Sequence, residues 1–435
     1  MINQDPSFSK KIIILVNEPI EEMVIGRNGT LTLALSFSKI GYEVLFADEV
    51  VIGSNLDTFS AKKISFKSEI FNLYEECARA TSNSNISALA YGDPRKVGRR
   101  LCDVKIKNYT EVQGALVYAG SDKFQHSAIL KLSDQENLWK ISELKKIPYK
   151  KISIILNRFD PVSDYSRTRD QIDRLKIIKI KTKIRVVGCA ENVDKYEPLA
   201  LTGELSPETL VMSLTSAFQI KQQNLLQAKE MLVRHGSLVV KPAKSGQGKG
   251  VKKITKPLEI EKRIREIKDE FGGKIDGGLI LQQFVPGSFR GDVRTIFYRN
   301  KKGSFDLAGH VARLQAKKGF INCISTGRAV ATNPENMLSE KEIFDLNHNS
   351  KILLKYLNLH RKNIDSPIVG VDFIPKFLTK KEADESKENT LYIGEINFLC
   401  VALFNVIDQL KGISVFAKNS VTSKIVEGIL GRDTL

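Results

Sequence analysis

Short apolar runs bounded by polar turns recur along the chain, and their period changes from place to place. The first, Ile12 to Val16, is far shorter than the ~18 residues of a membrane span and reads as a buried strand. Asn17-Glu18-Pro19 then breaks it, a helix-period stretch runs from Thr30 to Ile40, and Gly41 leads into Glu43-Val44-Leu45-Phe46. That order of strand, helix and strand predicts an α/β opening with a parallel sheet. Residues 55–130 have weaker periodicity, with a polar patch from Thr81 to Asn85 and the basic segment Arg95-Lys96-Val97-Gly98-Arg99-Arg100, so an insertion is expected over about 66–132.

Buried-strand patterning returns at Ile152 to Leu156, followed by Asn157-Arg158-Phe159-Asp160-Pro161 and a charged helix through Leu175. Polar residues at the carboxyl end of such a strand stand where α/β folds place ligands. A further strand is expected at Arg185-Val186-Val187-Gly188, and Ser206-Pro207-Glu208 opens a short segment leading to a long polar helix from Thr215 to Arg234. From Ser237 the pattern becomes strand, glycine loop, helix and strand, with several strands in succession up to Ile396. The main domain change is therefore expected between about Thr182 and Ser206, giving a substrate domain over 1–190 and a catalytic domain over 191–435, each long enough for its own core.

Composition narrows the class. With 435 residues, 42% of them hydrophobic, and a mean hydropathy of −0.18, the chain reads as a soluble globular protein. Its five cysteines form no Cys-x-x-Cys pair, which argues against a zinc site or a disulfide framework and favours a reducing cytoplasm. The formal charge of +17 favours anionic partners, yet the basic residues lie in short clusters such as Lys252-Lys253. No basic stretch rich in aromatic residues accompanies them, Trp139 sitting among ordinary lysines and glutamates, so nucleic acid is disfavoured as a partner.

Three segments could carry chemistry. In Lys241-Pro242-Ala243-Lys244-Ser245-Gly246-Gln247-Gly248-Lys249-Gly250, a strand runs into a loop whose glycines let backbone N–H groups approach phosphate oxygens; it matches neither a Walker A loop nor a dinucleotide fingerprint. Gly370-Val371-Asp372 and Glu395-Ile396-Asn397 lie in two strand-like runs. Alternation puts Glu395 and Asn397 on one face, and an antiparallel neighbour brings Asp372 beside them, a set of hard oxygen donors suited to Mg²⁺. Between these lie Gln283-Phe284-Val285, where a strand turns polar and could hydrogen-bond a purine edge, then Gly291-Asp292-Val293-Arg294 and Arg313. A nucleophile elbow is absent, the five histidines show no metal-ligand spacing, and His310 reads as an ordinary strand residue.

Taken together and in this order, these segments resemble the ATP-grasp ligases, and the closest likeness is to bacterial glutathione synthetase, over nearly the whole chain. The resemblance implies an α+β fold, in which an N-terminal parallel α/β domain precedes an ATP-grasp domain with antiparallel sheets. It further implies that Lys195 and Lys241, with the loop glycines Gly246, Gly248 and Gly250, bind ATP phosphates, and that Gln283, Phe284 and Val285 hold the adenine. Asp372, Glu395 and Asn397 would ligate Mg²⁺, two ions in all; Arg294 and Arg313 would face the phosphoryl-transfer centre, with Asn322 in a closing loop; Glu18, Arg158 and Asp160 would contact the substrate.

The implied reaction joins γ-glutamylcysteine, or a related peptide carboxylate, to glycine or another amine through an acylphosphate, with small-molecule substrates of the amino-acid and γ-glutamyl dipeptide class. Homo-oligomerisation is left open. Phe320 stands where the family has an arginine, Thr326-Gly327 replaces its paired glycines, and Phe398-Leu399-Cys400-Val401 replaces its small polar residues, so the donor and acceptor are open. Two alternatives remain: a ligase adding amino acids to a protein or another metabolite, and a non-catalytic binding protein on the same fold.

Overall fold

The computed structural model describes residues 10–16, 29–50, 58–72, 75, 88–91, 109–111, 116–119, 139–159, 165–182, 184–189, 203–212, 222–243, 250–270, 278–315, 319–320, 329–398, 401 and 403–431. Strand β1 (Lys11–Leu15) is apolar on both faces because both are covered: Ile12 and Ile14 enter one core, Ile13 and Leu15 another. Helix α1 (Gly29–Lys39) follows, then β2 (Glu43–Ala47) and β3 (Thr58–Phe66). Strands β4 (Ala88–Tyr91), β5 (Tyr109–Glu111) and β6 (Leu116–Ala119) lie within the insertion, and β7 (Trp139–Pro148), β8 (Ile152–Asn157), helix α2 (Tyr165–Thr182) and β9 (Arg185–Val187) come after it.

The first sheet has the order β7-β3-β2-β1-β8-β9, with β2, β1, β8 and β9 parallel and the β3/β7 pair antiparallel at one edge. Ile172, Leu175 and Ile178 of α2 cover one face, and Leu31, Leu35 and Phe37 of α1 share the core on the other. The anticipated strands and helices of this half are present.

The second sheet, β10-β13-β11-β12, is antiparallel and built from β10 (Thr209–Met212), β11 (Leu238–Pro242), β12 (Lys252–Ile254) and β13 (Leu279–Gln283). Helices α3 (Gln222–His235) and α4 (Glu259–Glu270) cover it through Met231, Leu232, Ile260, Ile264 and Ile267. Strand β10 was not anticipated. The helix expected from Thr215 is described from Gln222 onward, its first residues lying outside the described ones.

The large sheet contains β14 (Gly291–Arg299), β15 (Phe305–Gln315), β16 (Ala329–Thr332), β17 (Ile368–Pro375) and β18 (Leu391–Asn397), in the order β18-β17-β14-β15-β16, and the insertion strands extend it as β4-β6-β5. The insertion thus springs from the first sheet, between β3 and β7, and its described strands pair with the third. Helix α5 (Glu340–Leu359), which apolar patterning did not suggest, packs Leu346, Leu353 and Leu357 against Val293, Phe297, Val371 and Phe373. The charged stretch between β17 and β18 holds the short helix α6 (Lys380–Glu385), capped by Thr379. Helices α7 (Phe404–Leu410) and α8 (Val421–Leu430) join α1, the first sheet and Ile296, Tyr298 and Val311 of the large sheet in one core. None of the helices among the described residues is long and apolar enough to cross a membrane.

Candidate active site

Strand β14 carries the polar cluster because its side chains alternate: Val293 points into the core with α5, while Asp292 and Arg294, two residues apart, share the opposite face. Register then supplies their partners. Asp292 lies opposite Arg313 on β15, Arg294 opposite Asp372 on β17, Asp372 opposite Glu395 on β18, and Gly370 opposite Asn397. Gly291 begins this strand at φ +134°, and a Cβ there would stand 2.2 Å from the Arg313 carbonyl oxygen, so the close approach of β14 to β15 requires glycine.

The four charged groups form one network. Arg294 donates from Nε and Nη2 to the two Asp372 oxygens, both at 2.7 Å, and Arg313 Nη2 reaches Asp372 Oδ2 at 2.8 Å. Arg313 also grips Asp292, Nε to Oδ1 at 2.5 Å and Nη2 to Oδ2 at 2.8 Å. Burial disfavours both ionised carboxylates. At Asp372 the two guanidinium groups overcome it and hold the carboxyl well below the usual range, whereas Asp292, with one arginine in contact and the Asp372 charge nearby, is pushed up.

Lys241 on β11 comes to this strand edge from the second sheet. Its buried ammonium donates to Gln282 Oε1 at 3.0 Å and lies 3.5 Å from the carbonyl oxygen of Gly394, the bulge residue preceding Glu395. Gln282 in turn donates to Thr209 Oγ1 at 3.1 Å. The two antiparallel sheets therefore meet where the lysine of one faces the carboxylate strand of the other.

The described end of the glycine loop, Gly250, donates its N–H to Glu270 Oε1 at 3.2 Å and is fastened to α4. Phe284 packs edge-on against Phe289 and Phe320, and Lys253 Nζ sits 3.6 Å from the Phe284 ring centroid, where burial lowers the lysine's pKa. The backbone N–H groups of Gln283 and Phe284 are taken by the carbonyls of Glu208 and Ser237, so a purine edge would be left with the Val285 end of this segment. Arg158 is buried at the end of β8, donating to Thr30 Oγ1 at 3.3 Å and to the Val401 carbonyl at 3.1 Å.

Glu18, Asp160, Lys195, Gly246, Gly248 and Asn322 lie outside the described residues. Of the rest, Lys241, Arg294, Arg313, Asp372, Glu395 and Asn397 converge, Gln283, Phe284 and Val285 line the turn between the two antiparallel sheets, and Arg158 links the first sheet to the segment after β18. Sequence reasoning passed over Asp292 as a site residue, although an acid two positions before an arginine on one strand carries the signal. It also missed Lys253, Gln282 and Gly394.

Asp372, Glu395 and Asn397 offer only oxygen ligands, as Mg²⁺ prefers, and the Asn397 amide makes no side-chain hydrogen bond among the described residues although its nitrogen is buried. The set fits such an ion, with Asp372 engaged by two arginines.

No protein-family model and no curated protein matches the chain. Among solved structures, the complex of biotin carboxylase with β,γ-ATP from Campylobacter jejuni has 11% identity and a TM-score of 0.50, covering 97% of this chain and 71% of that one. D-alanyl-alanine synthetase A from Vibrio cholerae has 14% identity and a TM-score of 0.49 over 96% and 99% of the two chains. N5-carboxyaminoimidazole synthetase from Staphylococcus aureus has 11% and 0.45 over 98% and 79%. At 11% identity the likeness to the biotin carboxylase complex is one of fold alone. The chain has the mixed α/β fold of the ATP-grasp proteins, an N-terminal sheet with a parallel centre and an antiparallel edge followed by antiparallel sheets.

Proposed function

We propose that the protein is an ATP-dependent ligase joining a carboxylate to an amine. The observation that carries this reading is the meeting of Lys241 with the Gly394–Glu395 bulge of the strand paired with Asp372, the carboxylate that Arg294 and Arg313 grip: this cluster would bring cations for a polyphosphate next to oxygen ligands for its metal. Residues 1–190 would supply the substrate side and 191–435 the nucleotide side.

In the reaction a substrate carboxylate oxygen attacks the γ-phosphorus and the bond to ADP breaks, leaving an acylphosphate. The amine nitrogen then attacks the acyl carbon, loses a proton, and phosphate departs. Lys241, together with Lys195, would hold the polyphosphate, and Arg294 and Arg313 would balance charge on the transferring group, a positioning and electrostatic role that needs no protein nucleophile. Asp372, Glu395 and Asn397 would hold Mg²⁺, which neutralises phosphate charge when bound. By resemblance the carboxylate belongs to a γ-glutamyl dipeptide and the amine to glycine.

The test is ADP release by purified protein with Mg-ATP and a panel of amino acids and γ-glutamyl dipeptides. Release that depends on one carboxylate and one amine supports the reading; ATP binding without release under any pairing refutes it. One observation favours a nucleotide-binding protein without turnover: Asp372 is already engaged by both arginines.

A further inference from the structure

The Asp292–Arg313–Asp372–Arg294 network is charge-balanced as it stands, two carboxylates against two guanidinium groups, but its members are not equivalent. Arg313 is held by two carboxylates, Asp292 and Asp372. Arg294 is held by Asp372 alone among the described residues. Asp372 Oδ2 accepts from both arginines, and Oδ1 accepts from Arg294 Nε. A Mg²⁺ ligand oxygen must come within about 2.1 Å of its ion, and a guanidinium bridging both oxygens of the same carboxylate would face that ion at close range in a buried setting. Of the two arginines, the less tethered is the one free to give way.

Resting on the reading of this cluster as a Mg-ATP site, we propose that Arg294 is a mobile placeholder and Arg313 a fixed arginine, with Asp292 as the positioning residue that separates their roles. Without ligand, Arg294 neutralises Asp372. When Asp372 takes up its metal ligation, Arg294 swings off the carboxylate and its charge becomes available to the phosphates that enter with the ion. Arg313 stays, because Asp292 still holds two of its nitrogens. The exchange keeps the buried pocket near neutrality at each stage, and it links metal uptake to delivery of a cation to the transferring group.

The experiment uses the full chain and Mn²⁺ as the probe, followed by electron paramagnetic resonance without nucleotide, with circular dichroism melts as the check on folding. Arg294→Gln removes the competitor and is expected to bind Mn²⁺ roughly tenfold more tightly than the unsubstituted protein. Arg294→Lys, which retains a charge but cannot bridge both oxygens, should fall between the two and serves where the glutamine variant folds poorly. Asp292→Asn frees Arg313 to bear on Asp372 alone and is expected to weaken Mn²⁺ binding by a similar factor. Arginine variants that bind Mn²⁺ no more tightly, or an asparagine variant that binds it no more weakly, overturn the exchange. Binding of Mn-ATP by the unsubstituted protein is measured in parallel. If it occurs while the variants show no change, only the exchange fails; if it does not occur, the nucleotide reading fails and the exchange with it.

Discussion

Arg158 donates from Nη2 to the carbonyl oxygen of Val401 at 3.1 Å, although 243 residues separate them. The same guanidinium reaches Thr30 at the start of α1, so one buried side chain ties the end of β8, the first helix and the segment leaving β18. Arg158→Lys offers one nitrogen in place of a fork and strands at least one of these acceptors. A loss of about 1–3 kcal/mol is expected, read from the denaturant midpoint. An unchanged midpoint would make the tie energetically silent.

Gly287 sits in the turn between β13 and β14, the covalent link between the two antiparallel sheets. A Cβ there would lie 2.0 Å from the Pro375 carbonyl oxygen and 2.7 Å from that of Phe377, both backbone atoms that cannot rotate away. Gly287→Ala should cost about 2–4 kcal/mol in a urea titration, large for a single methyl. Near-native stability would show that this turn yields easily.

Two buried groups pull the pH dependence of stability in opposite directions. Asp408 accepts from Val421 N at 2.7 Å, Thr422 N at 3.0 Å and Thr422 Oγ1 at 2.7 Å, yet burial pushes its carboxyl up to about 6. That lies above the unfolded value of ~3.9, so the folded state binds more protons between the two, and this group's contribution improves as pH falls from about 6 to 4. Burial drives His310 down to about 4, below an unfolded value of ~6.5, so its contribution is lost as pH falls across that interval. Urea midpoints between pH 4 and 7 should show Asp408→Asn losing stability on acidification more steeply than the parent, and His310→Gln less steeply, each by roughly 1 kcal/mol per pH unit. Parallel pH profiles would contradict both assignments.

Glu395→Gln removes an anionic oxygen ligand at nearly constant shape and is expected to abolish ADP release while the melting temperature moves little. Full activity in this variant would exclude Glu395 from the metal set.

Lys241→Met keeps the apolar stem that β11 buries and deletes the charge facing Gly394. The Michaelis constant for ATP should rise roughly tenfold or more, equivalent to about 1.4 kcal/mol of lost phosphate binding. Unaltered ATP kinetics would make this lysine a structural contact between the two sheets.

The parallel core was legible because strands buried on both faces are written as unbroken apolar runs, as in Ile12 to Val16 and Ile152 to Leu156. Helix α5 escaped that reading, since charged and amide residues dilute its apolar face; its signal was the capping box from Ser339 to Glu342, which the structure forms in full. At the site, the shared face of Glu395 and Asn397 follows from alternation within one strand. The grip of Arg294 and Arg313 on Asp372 does not, because it depends on the registers of β14 with β15 and β17. Asp292 received no role for the same reason: its spacing from Arg294 is visible in the sequence, but its grip on Arg313 comes from the register across the ladder.

Strand β4 leaves the ribosome long before β16 exists, yet Leu89 pairs with Ala331 and Ala88 with Thr332. Through nearly half of synthesis the insertion strands exist with no sheet to join, and their unpaired backbone is a template for other chains. Closing so long a loop carries an entropy cost that later contacts must recover, which places the docking of β4 among the slow, late events of folding. A nascent chain halted before residue 329 would present those strands unmated, so the yield of native protein should depend on how quickly the second half of the chain arrives.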